Sequence, residues 1–227
     1  MSYGKVNGNP EKRCRKGATA AETRAAREST LNQARRSLIL DAARSAFFEL
    51  GLDGASLREI AKRAGYTPGA IYSYFANLEE IYGALLGESL ERLNQVVEAA
   101  KGWSDSSSAT ELLRAKAEAF YVFYRENPKE LDLGFYLFDG MKPRGLTPEL
   151  NHELNEQLLA ALQPVQLQLE ALGLSTEQAV IETSAVFAHI VGVLILKNTG
   201  RSRLFKQNPD QLFERYMDSL VRRLPAT

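Results

Sequence analysis

Cysteine is nearly absent: Cys14 is the only one among 227 residues. A single thiol forms no internal disulfide and founds no cysteine-based metal site. Histidine is almost as scarce, represented by His152 and His189 alone. The stretch His152-Glu153-Leu154-Asn155-Glu156 carries a glutamate where a His-Glu-x-x-His zinc motif needs its second histidine. With no triad and no phosphate loop either, no metal, no cofactor and no enzymatic activity are expected. Long hydrophobic runs are missing too. A membrane span needs about 20 consecutive apolar residues, whereas the best stretch, Ala185 to Leu196, contains His189 and reads as a buried helix. The basic N-terminus is followed by no apolar run, so no secretory signal is expected. The expectation is a cytoplasmic protein without a membrane partner. Period-two alternation is lacking as well, which removes strands and predicts an all-α fold.

What is present is an uneven charge. The formal net charge is zero, yet residues 1–76 hold 13 Lys+Arg against 7 Asp+Glu, leaving 15 against 21 for the rest. A basic N-terminal piece on an acidic body suits a phosphate-binding module attached to a domain that does not bind phosphate.

The periodicities divide the chain into three. Residues 1–29 are polar, with Gly4, Gly8, Pro10 and Gly17 among scattered basic side chains, and read as a flexible basic arm. Residues 30–77 carry three short helical patterns. In the first, Ile39, Ala42, Ala43, Ala46, Phe47 and Leu50 recur at three- and four-residue spacing until Gly51 stops it. The second opens on Ser56-Leu57-Arg58-Glu59, a Ser-x-x-Glu capping box, and ends at Gly65. The third restarts at Thr67-Pro68, with Thr67 as N-cap and proline at the first helical position. Residues 78–227 then predict a larger helical domain. Its long helix from the Asn77-Leu78-Glu79-Glu80 cap is followed by patterns at about 110–126, 129–139, 148–172, 176–199 and 209–223. The expected total is about nine helices.

Two helices joined by about three residues around a glycine are a helix-turn-helix, here at 56–75. Ile71 and Phe75 face inward with Leu57, Ile60 and Phe47, which turns Pro68, Gly69, Tyr72 and Ser73 outward. Small residues at a helix start let the backbone approach base edges in a major groove. Tyrosine hydroxyls suit phosphate, and the helix starts at Ser56 and Thr67 offer backbone N–H groups to phosphate oxygens.

The run Ile60-Ala61-Lys62-Arg63-Ala64-Gly65-Tyr66-Thr67-Pro68-Gly69-Ala70-Ile71-Tyr72-Ser73-Tyr74-Phe75, preceded by Phe47-Phe48-Glu49-Leu50-Gly51, resembles the tetracycline-repressor (TetR-type) family of regulators over about residues 34–94. The resemblance implies a homodimer on double-stranded DNA at a near-palindromic operator, and a C-terminal domain that binds a small-molecule effector. It implies phosphate anchors at Ser56, Thr67, Tyr72 and Tyr74 and a base-facing surface at Pro68, Gly69, Ala70 and Ser73. Arg58 is placed to reach a guanine. Dimerisation is expected through about 176–199 and 209–223. A repressor released by its effector is the expected function, with an activator or an effector-independent DNA binder as alternatives. One departure stands out: family members usually carry a phosphate-gripping lysine just before the helix that opens here at Leu78, and this chain has Ala76-Asn77. Lys12, Arg13, Arg15, Lys16, Arg24 and Arg27, with Arg35 and Arg36, are the cations available to replace it.

The effector site is expected among the central aromatics. Phe120, Phe123 and Tyr124 share one helical face, and Phe138 and His189 complete the candidate set. No charged cluster marks the pocket, which favours an uncharged or amphipathic effector.

Overall fold

The computed structural model describes residues 20–102, 107–135 and 146–225. Among them there are helices and no strands: α1 (Ala20–Gly54), α2 (Leu57–Ala64), α3 (Pro68–Ile71), α4 (Leu78–Ala99), α5 (Ala109–Glu126), α6 (Pro128–Phe135), α7 (Pro148–Ala171), α8 (Thr176–Asn198) and α9 (Pro209–Arg223). The expected all-α architecture is the observed one. A short 3₁₀ helix, Arg201–Phe205, precedes α9; nothing in its sequence announced it, because it is set by left-handed backbone at Gly200 and Lys206.

The chain divides into two compact units, residues 1–38 and 39–227. In the first, Ala20–Leu38 is helical, and its side chains from Arg24 to Leu38 are almost all exposed. The part of the expected arm (residues 1–29) that lies among the described residues is therefore helical. The Ala/Arg/Glu-rich stretch from Ala20 has the propensity for helix, but no apolar stripe to signal it. The rest of the arm, with Lys12, Arg13, Arg15 and Lys16, lies outside the described residues.

In the second unit, the apolar face of α1 (Ile39, Ala42, Ala43, Ala46, Phe47) packs with Ile60, Ala61, Ile71 and Phe75 in the core. Gly51, at φ 71 and ψ 176, breaks the helical path where a stop was expected. The caps are as read, with one difference. The Ser56 hydroxyl accepts from the Glu59 backbone N–H at 3.2 Å, but the Glu59 carboxylate turns to Arg63 instead of closing the box. Asn77 caps α4 by accepting from the Glu80 N–H at 2.8 Å, while the Glu80 carboxylate accepts from the Ala76 N–H.

The body is a helical bundle in which α4 packs on α5 and α7, and α7 on α8, with α9 against α8. Both α5 and α8 open on complete capping boxes, Ser108/Glu111 and Ser175/Gln178. Lys116 ties α5 to the end of α4, its ammonium donating to the Val97 and Glu98 carbonyls at 3.0 and 2.7 Å. A cation there complements the negative end of the helix dipole. On the other side of α5, Tyr121 stacks on Phe213 of α9 with ring centroids 4.5 Å apart. By length and composition α8 would suffice to cross a membrane. Here it is seated in the bundle with Ala179, Val186, Ile190, Val193 and Leu194 buried, leaving Val180 and Ile181 exposed.

Candidate nucleic-acid interface

α2 and α3 meet at Gly65, whose φ of 72 is left-handed backbone that a glycine adopts without Cβ strain. The Gly65 and Tyr66 N–H groups close α2 on the Lys62 and Ala61 carbonyls. Two residues later the Thr67 hydroxyl accepts from the Ala70 N–H at 3.3 Å and starts α3. Ile71 and Phe75 are then driven into the core, fully buried, beside Ile60 and Ala61.

That anchoring fixes what faces out. Ser56, Arg58, Thr67, Pro68, Gly69 and Ser73 are exposed, Ala70 and Tyr74 half-buried. Tyr72 is 58% exposed, unusual for a large aromatic residue on a surface of small ones. A Cβ added at Gly69 would meet nothing within 4 Å, so this glycine leaves the surface low without an internal packing need. The nine residues expected to touch DNA thus gather along α2 and α3, Tyr74 partly packed on the core. α3 itself is only four residues long, with turns carrying the chain from Tyr72 to Tyr74.

The cations behave differently from one another. Arg63 is held inside the module: its guanidinium pairs with Glu59 at 2.8 Å and Glu49 at 2.9 Å and donates to the Ser45 hydroxyl. The hydrogen bonds to Glu59 and Glu49 raise its pKa, and Arg63 in turn lowers that of Glu59. Arg63 is therefore a clasp for α1 and α2, while Arg58 and Lys62 stay exposed.

Three contacts connect this module to the body. Arg44 of α1 pairs with Glu88 of α4. The Tyr82 hydroxyl of α4 donates to the Leu133 carbonyl of α6, with the Tyr82 ring edge-on to Phe47. Lys129 of α6 donates to the Phe48 carbonyl near the end of α1 at 2.8 Å. Sequence reasoning missed all three, since no local pattern pairs residues so far apart along the chain.

Of the expected effector contacts, Tyr124 lines a small cavity with Leu86, Leu90, Gly134, Leu154, Asn155 and Leu158. Phe120 and Phe123 are buried and pack on the Tyr124 ring at 5.3 and 5.1 Å. His189 lies elsewhere, in the seam of α8 and α9, stacked on Tyr216 at 4.1 Å. Phe138 is outside the described residues. Larger concavities occur at the surface: about 570 Å³ between α5 and α9, lined by Lys101, Glu111, Arg114 and Glu118 among others, and about 440 Å³ between α7 and α8. No cluster of metal-ligating side chains occurs among the described residues.

Residues 39–85 match the family model for bacterial regulatory proteins of the tetR family. The HTH-type transcriptional repressor AcnR of Corynebacterium diphtheriae is 38% identical over 63 residues, which are 28% of this chain and 33% of that protein. The match to curated relatives of this kind therefore spans about a third of their length. Among solved structures, a regulatory protein in the tetR family from Rhodococcus RHA1 superposes with a TM-score of 0.61 at 20% identity, over 85% of this chain and 98% of that one. The transcriptional regulator FadR from Bacillus subtilis, solved in complex with stearoyl-CoA, gives 0.57 at 22% identity, over 82% and 97%. At such identities these two likenesses establish the shared fold, body included.

Proposed function

We propose, from a chain whose residues 39–85 are the N-terminal module of the tetR family of bacterial regulatory proteins, that the protein is a DNA-binding transcription repressor released by a small effector. The observation that carries it is the exposed Pro68–Ser73 surface, held rigid from behind by the buried Ile71 and Phe75. Two such surfaces in a homodimer read a near-palindromic operator, each entering a major groove about 34–36 Å from the other. Tyr72 contacts phosphate, and Pro68, Gly69, Ala70 and Ser73 approach the bases. Dimerisation runs through α8 and α9, where the exposed Val180 and Ile181, with Ala185 and Ala188 on the open face of α8, supply an apolar surface. The repressor name of the Corynebacterium relative supports the sign of regulation. The stearoyl-CoA in the Bacillus neighbour supports a small-molecule effector with a long apolar part. Such a protein works on DNA in the cytoplasm.

Selection of binding sites from fragmented genomic DNA tests this reading. The expected result is a palindromic site, bound at least tenfold less tightly by Tyr72→Ala at unchanged melting temperature, as for loss of one bond to a charged oxygen. Enrichment of no common site, or equal binding by the variant, removes the assignment.

A further inference from the structure

Two buried oxygens on the packed faces of α4 and α6 have no partner. Ser89 is fully buried, and its Oγ bonds to nothing. Glu130 is 8% exposed; Oε1 accepts from Arg92 at 2.6 Å while Oε2 accepts from no group. Buried polar atoms are nearly always satisfied, so two orphans on one seam mark a place where a further donor fits. Helical spacing puts both beside one cavity, which neither of them lines. Ser89 stands one turn after Leu86, and Glu130 one turn before Gly134, and Leu86 and Gly134 both line the Tyr124 cavity. Burial, and then the charge of Glu130, push the Tyr124 phenol upward, so this hydroxyl stays protonated beside the carboxylate.

We propose that Ser89 and Glu130 form the polar end of the effector site, and that the effector is an apolar molecule ending in an uncharged hydrogen-bond donor, a hydroxyl or an amide N–H. This rests on the reading of the chain as effector-regulated and deepens it. The charge logic selects the class. Arg92 and Glu130 already neutralise each other, so a ligand carboxylate or phosphate finds no spare cation and meets an acceptor oxygen. An ammonium leaves a net charge buried beside the pair, which is costly. A neutral donor satisfies Glu130 Oε2 or Ser89 Oγ without adding charge.

The cavity is also small, at about 30 Å³, far below the several hundred Å³ of occupied ligand sites. Seating a ligand there requires α4, α6 and α7 to part. Lys129, the neighbour of Glu130, is bonded to the Phe48 carbonyl of α1, so that parting pulls on the module that carries the DNA surface.

Calorimetric titration and thermal shift of the full chain with 1-octanol, octanoate and octylammonium test the class. The alcohol is expected to bind and raise the melting temperature, and the two ions to bind at least fivefold more weakly. Ser89→Ala removes only an oxygen that bonds to nothing, so it keeps the fold, and it is expected to weaken the alcohol at least fivefold. Octanoate binding as tightly as the alcohol, alcohol binding unaffected by Ser89→Ala, or no binding of any of the three overturns the proposal. Octanoate that binds and also releases DNA overturns this polar end alone and leaves the effector-regulated reading standing.

Discussion

The DNA-facing module and the helical body solve opposite packing problems. In the module, a few fully buried residues (Ile39, Ile60, Ile71, Phe75) hold up a face that stays open to solvent. In the body, the candidate site is turned inward, and Tyr124, Leu86, Leu90 and Leu154 are buried around a small cavity. An outward site can be specified by residues within one turn of each other. An inward site needs several helices to agree, and its ligand must do work against packing. The lesson is that the first is built for rigidity and the second for being opened.

The largest effect is expected from removing the prop behind the open face. Phe75→Ala deletes a fully buried ring, a change that costs about 3–5 kcal/mol in a close-packed site. If the module is a separate cooperative unit, amide exchange in α2 and α3 accelerates by the full amount while α5, α8 and α9 keep their protection, and DNA binding is lost. Equal loss of protection in both regions would show that Arg44–Glu88 and Lys129–Phe48 weld them into one unit, and the contrast drawn here would fail.

A middle-sized effect concerns how much of the DNA contact lies outside the module. The module shows only Arg58 and Lys62 exposed along α2, since Arg63 is clasped by Glu59 and Glu49, and Ala76-Asn77 supplies no cation. The N-terminal segment holds Lys12, Arg13, Arg15, Lys16, Arg24 and Arg27. Deleting residues 1–28 is expected to flatten the salt dependence of operator binding, each lost phosphate contact lowering the slope by about 0.9. An unchanged slope confines the interface to α2 and α3.

Legibility from sequence follows the same division. The module's caps at Ser56, Thr67 and Asn77 and its turn at Gly65 are local signals, and each lies where its residue type demanded. The inward-facing ring of Tyr124 was also readable, from the spacing of Phe120, Phe123 and Tyr124 on one helix face. Ser89 and Glu130 were not, because a serine and a glutamate in amphipathic helices look like solvated positions until α4 and α6 are packed together. Helix from Ala20 was legible only as a propensity of its Ala/Arg/Glu-rich composition: with Leu31 and Leu38 left exposed, it has no buried stripe to leave a period in the sequence.

The smallest expected effect tests the inward side of the body through the half-buried imidazole of His189. His189 approaches the Leu212 carbonyl through Nε2 at 3.2 Å; a carbonyl only accepts, so Nε2 carries the proton and the ring is the neutral tautomer. It stacks on Tyr216, and burial lowers its pKa, the Leu212 bond opposing this in part. Above the ordinary pKa of about 6.5 both folded and unfolded chains hold the ring neutral, and stability is full. As pH falls below that value the unfolded chain takes the proton first, so this group's contribution declines until the folded pKa is passed. The slope from one proton is at most about 1.4 kcal/mol per pH unit. His189→Gln keeps a donor for Leu212 and removes the titration. Urea midpoints from pH 7.5 to 5, at two protein concentrations to separate folding from assembly, are expected to fall less steeply for the variant than for the wild type. Parallel curves would mean that the α8–α9 seam admits water to His189, and that only the region around Tyr124 is truly inward.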